Sequence, residues 1–480
     1  MGLNSMDADV RKSFVQWPAP TVDWCDVARV TIDKLPDVAL LRIFDFYMDE
    51  EHIQAWQTLV HVCREWRTVV FGSPRRLNLR LSWTNRTRMR EMLGVWPLLP
   101  IAVRCHLEFS CADNAIAALE HNDRICELGL FDISSRQLEI VLTAIHRPFP
   151  ALECLELTCP ELRLEDETAL ADPASESFLG GSAPPLQTLL LNCIPFPELP
   201  TLLLSATHLV ELGLRKIPDS GYISPEAMVT CLSVLTRLES LEIGFKSPQS
   251  RPDWPSRHPP PQTRTLLPIL ALLRFWGVSE YSENFMGRID APLLDKLHIT
   301  FFQQPIINTA QLTQFISRTP KFETHDEAHV GFSDWRVSIT IPQVSGGRLY
   351  LGILYGESYC EPLHLAQVCG LSFPQALVSA VEHLYILEYG LSQLSWQESR
   401  DDLWLEFLHP FTGVKSLHIS QEFVPRIAPT LQKITRERVT EVLPALQTLS
   451  LEEPLPSEPV LEIIGQFVDA RRLAVFLWER

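Results

Sequence analysis

The chain has 480 residues, of which 46% are hydrophobic, so it can bury a large core in one elongated domain or in more than one domain. Its 59 acidic residues outnumber its 41 basic residues, and the formal net charge of -18 argues against partners such as nucleic acid or an anionic membrane surface. The 11 cysteines include no C-x-x-C pair and the N-terminus carries no signal-peptide pattern, which together indicate free thiols in the cytoplasm or the nucleus.

The first predicted element is a helix that begins at Leu35-Pro36, because proline is tolerated in the first turn of a helix. Its apolar residues recur at helical spacing until Asp49-Glu50-Glu51 interrupts them. A second apolar stripe runs from Trp56 through Trp66 to Val70, and Gly72-Ser73-Pro74 closes it. The sequence therefore predicts two amphipathic helices that pair through these stripes.

These two segments resemble the F-box, in the form common among fungal F-box proteins with leucine-rich-like C-terminal regions. The resemblance rests on Leu35-Pro36, Leu40-Leu41, Ile43-Phe44 and the run from Val62 to Arg67, and it departs from many members at Trp56-Gln57-Thr58. It implies that this module docks onto the Skp-type linker protein of a cullin-RING ubiquitin ligase. The linker-binding residues that it implies are Leu35, Pro36, Leu40, Leu41, Ile43, Phe44, Val62, Cys63 and Trp66.

Downstream, short strands are predicted wherever an apolar-x-x-apolar-x-apolar pattern follows a capped helix or a proline. The pattern alone is weak because Leu, Ile and Val are abundant, but Ser135 and Ser224-Pro225 begin helical patterns just before two of the strands. The predicted strands begin at Ile125, Leu152, Leu186, Leu209, Leu238, Leu294, Val381, Val414 and Leu446. Leu77 to Leu81 is predicted to be a first strand and Arg471 to Phe476 a last one.

The stretch from Leu266 to Val278 is the longest apolar one, and it contains Arg274. It is much shorter than the roughly 20 residues that a membrane-spanning helix needs, so we expect a helix in the core of the protein.

Spacings of roughly 23 to 34 residues between the early units overlap the leucine-rich-repeat range of about 20 to 29. The predicted fold is α+β overall, with an N-terminal extension at 1–32, a helical F-box at 33–74 and an irregular α/β leucine-rich-repeat-like solenoid at 75–480. Acidic and proline-rich segments at 161–185 and 248–268 are expected to be loop insertions. A compact α/β domain is the competing architecture.

The predicted strands also locate a candidate binding surface. The last two apolar residues of each pattern point inward, so their neighbours lie on the opposite face of the strand. In a stacked solenoid these neighbours form one continuous surface that can bind a target protein. The predicted target-binding residues are Glu211, Arg215, Glu242, Lys296, His298, Tyr385 and His418, accompanied by Gly213, Ser240 and Ser416.

No phosphate-binding, zinc-hydrolase or nucleophile-elbow motif occurs, so we expect no cofactor, no metal and no catalytic residue. The expected function is a substrate-recognition adaptor of a cullin-RING ubiquitin ligase, whose repeat region binds an unknown target protein. Two alternatives stay open, namely an F-box and repeat scaffold without a degradative role, and an enzyme with an unrecognised site.

Overall fold

The chain divides into two compact units, Met1–Arg80 and Leu81–Arg480. The predicted N-terminal extension at 1–32 lies outside the described residues. A computed structural model describes residues 35–50, 55–74, 76–83, 93, 96–107, 112–160, 178–183, 185–195, 199–248, 263–304, 307–322, 326–333, 336–342, 347–354, 375–388, 401–437 and 441–478.

The first unit contains three helices, α1 (Asp37–Glu50), α2 (Ala55–Val62) and α3 (Arg64–Gly72). The sequence predicts one continuous second helix, and that prediction is wrong because the helix breaks at Cys63. Cys63 has extended backbone, and its Sγ accepts the backbone N–H of Trp66 at 3.4 Å, so it caps α3 as a serine would. The break divides the predicted second helix into α2 and α3.

Residues 76–80 belong to the helical unit, where the sequence places the first strand at Leu77 to Leu81. Leu77 and Leu79 are buried, and their N–H groups donate to the carbonyls of Ser73 and Pro74 in turns. The indole Nε1 of Trp56 donates to the carbonyl of Arg80 at 3.0 Å and ties this segment to α2. The first strand of the second unit begins only at Leu81.

The second unit is built on a mostly parallel sheet, which in the described residues has 16 strands. The strands follow one another across the sheet in chain order, except where β14, β13 and β12 stand between β11 and β15. A separate parallel pair, β8 and β10, forms a second small sheet. The strand bounds are β1 (Leu81–Trp83), β2 (Ile101–His106), β3 (Ile125–Phe131), β4 (Cys154–Thr158), β5 (Thr188–Asn192), β6 (Glu211–Ile217), β7 (Ser240–Phe245), β8 (Thr265–Leu266), β9 (Leu272–Gly277), β10 (Ile289–Asp290), β11 (Lys296–Phe302), β12 (Glu327–Ser333), β13 (Arg336–Pro342), β14 (Arg348–Leu354), β15 (His383–Glu388), β16 (Ser416–Ile419), β17 (Thr448–Glu452) and β18 (Ala474–Trp478).

Helices occupy most of the connections between parallel strands, as a parallel crossover requires. Serine residues start two of them, since the Ser134 N–H donates to Gln137 Oε1 at 3.0 Å and Ser224 Oγ accepts the Ala227 N–H at 3.2 Å. The cap of the first is therefore one residue earlier than the predicted Ser135. The helix bounds are α4 (Ala112–Leu119), α5 (Ser135–Ala144), α6 (Leu199–Ser205), α7 (Pro225–Leu232), α8 (Ser279–Met286), α9 (Ala310–Arg318), α10 (Gln375–Ala380), α11 (Asp401–Leu408), α12 (Val424–Arg436) and α13 (Glu458–Arg471).

Each of the nine predicted apolar patterns overlaps a strand of the large sheet. The strand at Ile125 begins on the predicted residue, and the other eight begin two residues later. In β6 the two final apolar residues, Leu212 and Leu214, are buried as expected. The predicted mixture of helices and strands is thus confirmed in the form of a large, mostly parallel sheet with helical connections.

The stretch from Leu266 to Val278 is not a helix, which corrects the sequence prediction. It begins in β8, turns, and continues as β9, whose side chains alternate between buried and half-buried positions. Leu273 and Phe275 are buried on one face of β9, while Arg274 and Trp276 lie on the other. Pairing with β7 and β11 therefore selects a strand here, although the overall hydrophobicity also suits a buried helix.

The predicted loop insertions at 161–185 and 248–268 lie largely outside the described residues. Of these segments, Phe178–Gly181 forms a 3-10 turn and Thr265–Leu266 forms β8. Among the helices that the structure describes, none combines the length and the apolar character needed to cross a bilayer.

Candidate functional site

Five of the predicted linker-binding residues hold the helical unit together. Leu40, Leu41 and Phe44 of α1 are buried, and the Phe44 ring meets the half-buried Trp66 ring edge to face at 4.8 Å. Cys63 caps α3 as described above. Their contribution to any partner surface is therefore to fix the arrangement of the three helices.

The other predicted linker-binding residues lie at the surface of the unit. Ile43 and Val62 are 45% and 56% exposed, Pro36 is exposed and Leu35 is half-buried. Two further apolar residues of α1, Val38 and Phe46, are more exposed still, at 61% and 65%. Contiguous exposed apolar side chains typically mark a protein interaction site, and three of these exposed residues lie on α1.

Val38 and Phe46 are not among the predicted linker-binding residues, because they lie outside the apolar stripe from which α1 was predicted. At 100° per residue, Val38 and Phe46 each project about 140° away from the direction midway between Leu40 and Phe44, and Ile43 lies at the border, about 60° from Leu40. The two exposed positions Val38 and Phe46 could have been found from the same helical projection. We call Val38, Ile43, Phe46 and Val62 the exposed apolar set.

All seven predicted target-binding residues lie on one face of the large sheet, opposite the buried leucines. We call this the open face. Lys296 and Arg215 are exposed there, whereas Glu242 is buried among its neighbours, with 10% of its side chain exposed. Glu211, His298, Tyr385 and His418 are half-buried.

The register of strand pairing places a continuous row of side chains along the middle of the open face. Each member pairs with the next on the neighbouring strand, so the row crosses the whole sheet from β2 to β17. The row consists of Arg104, Gly129, Glu156, Leu190, Gly213, Glu242, Arg274, His298, Tyr350, Thr340, His329, Tyr385, His418 and Ser450.

The part of the open face formed by the earlier strands carries ion pairs. Arg215 donates to Glu242 twice, from Nε to Oε1 at 2.5 Å and from Nη2 to Oε2 at 2.9 Å, and Arg274 Nη1 lies 3.5 Å from the same carboxylate. Donating these hydrogen bonds to Glu242 raises the pKa of Arg215. Arg104 forms a similar hydrogen bond with Glu127, which raises the pKa of Arg104.

Arg215 and Glu242 are therefore partners of each other, although the sequence treats them as separate target contacts. We expect Arg215→Glu to destabilise the protein by about 2 kcal/mol, because the poorly solvated Glu242 would lose two hydrogen bonds and face a like charge. Urea unfolding of the variant measures this loss. Adding Glu242→Gln should recover most of it, and an unchanged urea midpoint for Arg215→Glu alone would show that the pair contributes nothing.

The middle of the open face is cationic and aromatic. The rings of His298 and Tyr350 lie 3.9 Å apart, and the guanidinium carbon of Arg336 lies 5.6 Å from the centre of the Tyr350 ring. Burial is the largest cause that lowers the pKa of His298, to about 4, and the nearby charges of Arg274, Arg336 and Arg348 lower it further. The imidazole is therefore neutral at physiological pH.

The later strands extend this surface with a stack of three rings. His329 and Tyr385 are stacked at 4.6 Å and Tyr385 and His418 at 4.2 Å, each with 11° between ring planes. Burial raises the pKa of Tyr385 and lowers that of His418. Flat ring faces of this kind can contact the backbone and side chains of an extended peptide.

Several residues of this surface lie in segments where the sequence patterns predict no strand. Arg274 lies in the stretch predicted to be a helix, and Tyr350, Arg336, Arg348 and His329 lie on β12 to β14, which lack the six-residue pattern. Apolar residues alternate with other residues in Arg336–Pro342 and Arg348–Leu354, and this alternation could have predicted both strands. The burial of their side chains alternates in part.

In the part of the chain that the structure describes, no group of three or more His, Cys, Asp or Glu side chains is arranged to hold a metal ion. The comparisons with known proteins give no assignment, because no protein-family model and no curated protein matches this sequence.

Proposed function

We propose that this chain is the substrate-recognition adaptor of a cullin-RING ubiquitin ligase. In this proposal the helical unit is an F-box that binds the Skp-type linker protein, and the second unit is a leucine-rich-repeat-like solenoid that binds a target protein. The observation that carries the proposal is that the residues resembling the F-box form a separate helical unit and leave an apolar set at its surface.

The helical unit supports the linker-binding half of the proposal because some residues of its motif are buried and others are exposed. Leu40, Leu41 and Phe44 fill the interior, while Ile43 and Val62, from the same motif, stay exposed. An exposed apolar helix face is the usual recognition element when helices dock into the groove of a partner. Burial in the core of the helical unit does not account for the apolar side chains of Ile43 and Val62, because both are exposed.

The second unit supports the target-binding half through the order of its strands. Successive strands from β1 to β7 are parallel neighbours, and each carries buried apolar side chains in register with those of the next. Stacked units of this kind bury one face and leave the other as an extended surface, which solenoid proteins use to bind proteins. The open face provides such a surface here.

The proposed role requires no reaction on this chain. An adaptor accelerates ubiquitin transfer by holding the target close to the ligase, so that the transfer becomes effectively intramolecular. The cytoplasm and the nucleus are the proposed compartments. The seven cysteines that the structure describes are thiols and not disulfides, which agrees with a reducing environment.

The proposal is tested by mixing the purified chain with a Skp-type linker protein and then with the cullin-RING core. We expect a stable complex with the linker by size-exclusion chromatography, and ubiquitin transfer to a captured target when the full ligase is assembled. Failure to bind the linker at micromolar concentrations would overturn the proposal. Linker binding without any transfer to captured proteins would favour the non-degradative scaffold.

A further inference from the structure

Four cationic side chains from four strands lie around His298 and Tyr350 on the open face. We call Arg274 of β9, Lys296 of β11, Arg336 of β13 and Arg348 of β14 the cationic patch. Lys296 and Arg348 are direct cross-strand partners, and Arg274 pairs in register with His298. These residues are up to 74 positions apart in sequence, from Arg274 to Arg348, and only the sheet brings them together.

Independent contacts show that the patch is compact. Arg274, Arg336 and Arg348 all act electrostatically on the one imidazole of His298. Arg336 also lies over the Tyr350 ring, whose centre is 3.9 Å from that of His298. Three of the four cationic groups therefore lie around a single pair of rings, and Lys296 is the cross-strand partner of one of them, Arg348.

The positive charge of the patch is only partly neutralised. Arg274 shares the Glu242 carboxylate with Arg215. Within the described ranges, neither Lys296 nor Arg348 has a carboxylate partner, and both side chains are exposed. A local excess of positive charge on a chain with a net charge of -18 favours an anionic ligand at this place.

A buried polar group lies beside the patch. The Thr300 side chain is on the open face between Trp276 and Gly352 in the register, and the residue is 2% exposed. Its hydroxyl has no hydrogen-bond partner within the described part of the chain. An unsatisfied hydroxyl is costly to leave in a protein interior, and a ligand that shifts the overlying rings could satisfy it.

We propose that the cationic patch and the adjoining ring stack bind an extended acidic peptide segment of the target protein. The inference rests on the target-binding half of the proposed function and specifies the chemistry of the target. The acidic side chains of the peptide lie against Arg274, Lys296, Arg336 and Arg348. Its following residues lie across the rings of His329, Tyr385 and His418.

The dimensions of the surface suit a short peptide. The middle row from Arg274 to His418 crosses seven neighbouring strands. Six strand spacings of about 4.8 Å give about 29 Å, which an extended peptide of about nine residues covers at about 3.3 Å per residue.

The distribution of charge on the open face favours a peptide over a nucleic acid. The strands before the patch carry Glu127, Glu156, Glu211 and Glu242 on the same face. A polyanion that continued beyond the patch would meet these carboxylates. The patch could not offset their repulsion, because charges more than about 8 Å apart are largely screened at physiological ionic strength. A peptide can confine its negative charge to the patch.

The test measures direct binding of a fluorescein-labelled nonapeptide to the full chain by fluorescence anisotropy, without the linker protein. The peptide carries four glutamates at one end and alternating leucine and tyrosine after them, and two counterparts carry four glutamines or four lysines instead. We expect the glutamate peptide to bind at least about tenfold more tightly than either counterpart, and its affinity to fall as salt is raised.

The decisive variant is Lys296→Glu with Arg348→Glu, because both side chains are exposed and neither has an acidic partner among the residues that the structure describes. We expect at least about a tenfold loss of affinity for the glutamate peptide. The matched control is Arg136→Glu with Arg147→Glu, which changes the net charge by the same amount at exposed positions on α5 and just after it. The control should bind almost as the unchanged protein does.

Three results would overturn the inference: equal losses in the two double variants, equal binding of the three peptides, or tighter binding of a ten-nucleotide single-stranded RNA than of the glutamate peptide. Linker binding of the same variants is measured separately. A chain that binds the glutamate peptide at the patch but not the linker would retain this inference while the ligase role fails, so the two failures are distinguishable.

Discussion

Ile43→Asp and Val62→Asp are each expected to weaken binding of the chain to a Skp-type linker protein by at least about thirtyfold. Both side chains are apolar, belong to the motif that resembles the F-box, and are about half exposed. Truncating an apolar anchor at an interface commonly costs about 2 kcal/mol or more, which corresponds to about thirtyfold in affinity. A carboxylate placed in an apolar contact adds the cost of its desolvation.

Because these two positions are exposed, their substitution should leave the helical unit folded. Hydrogen exchange measured over residues 37–72 of the full chain checks this directly. Thr68→Asp is the matched control, since Thr68 is exposed on α3 and outside the exposed apolar set. Among the described residues, its side chain bonds only the Arg64 carbonyl of its own helix. Linker affinity that survives both Ile43→Asp and Val62→Asp would exclude this surface as the docking site.

Phe44→Ala gives a different result for a different reason. The Phe44 side chain is fully buried and contacts the Trp66 ring, so its removal is expected to cost about 3 to 5 kcal/mol and to open the three-helix unit. Loss of linker binding in that variant would accompany faster hydrogen exchange. The contrast between Phe44 and Ile43 separates residues that build the module from residues that touch a partner.

Gly413→Ala is expected to destabilise the second unit by about 3 kcal/mol. A Cβ atom at Gly413, in the turn before β16, would clash with the backbone carbonyl oxygen of Ser379 and would lie 3.2 Å from that of Val381. The obstacle is the backbone of the preceding unit, so no side-chain rotation can relieve it, and overpacking of this kind costs about 1 to 3 kcal/mol or more.

Gly465→Ala serves as the matched control. Gly465 lies inside α13, and a Cβ atom there would have no neighbour within 4 Å. Alanine is the better helix former by about 0.5 to 1 kcal/mol, so this variant should be slightly more stable than the unchanged chain. Urea unfolding compares the two variants, and hydrogen exchange over residues 375–388 should rise only in Gly413→Ala. Equal stabilities would show that the α10 end can move away from the turn.

The sequence by itself located nine strands of the large sheet to within two residues and determined which of their side chains face the core. The reason is local, because alternation along a strand fixes the two faces whatever the strand pairs with. The buried Leu212 and Leu214, and the placement of Glu211 and Arg215 on the other face, follow from six residues of sequence. The motif in the helical segment was equally local, and so was the start of its first helix.

Only the tertiary structure decided which of these residues meet. The units at Leu294 and Val381 are consecutive in the series of predicted units, yet β14, β13 and β12 lie between their strands. β13 is antiparallel to both of its neighbours. That insertion brings Tyr350, Arg336 and Arg348 beside His298. Strand order depends on contacts between distant residues, which local patterns do not encode.

The same limit explains the local errors. The stretch containing Arg274 has enough apolar residues for a buried helix or a buried strand, and only pairing with β7 and β11 selects the strand. Cys63 has the same apolar spacing as its neighbours, but the thiol caps α3 and ends the run of α2. Glu242 looks like a free surface charge in the sequence, whereas the neighbouring strands surround it with Arg215 and Arg274, because the sheet stacks units that lie about 30 residues apart in the chain.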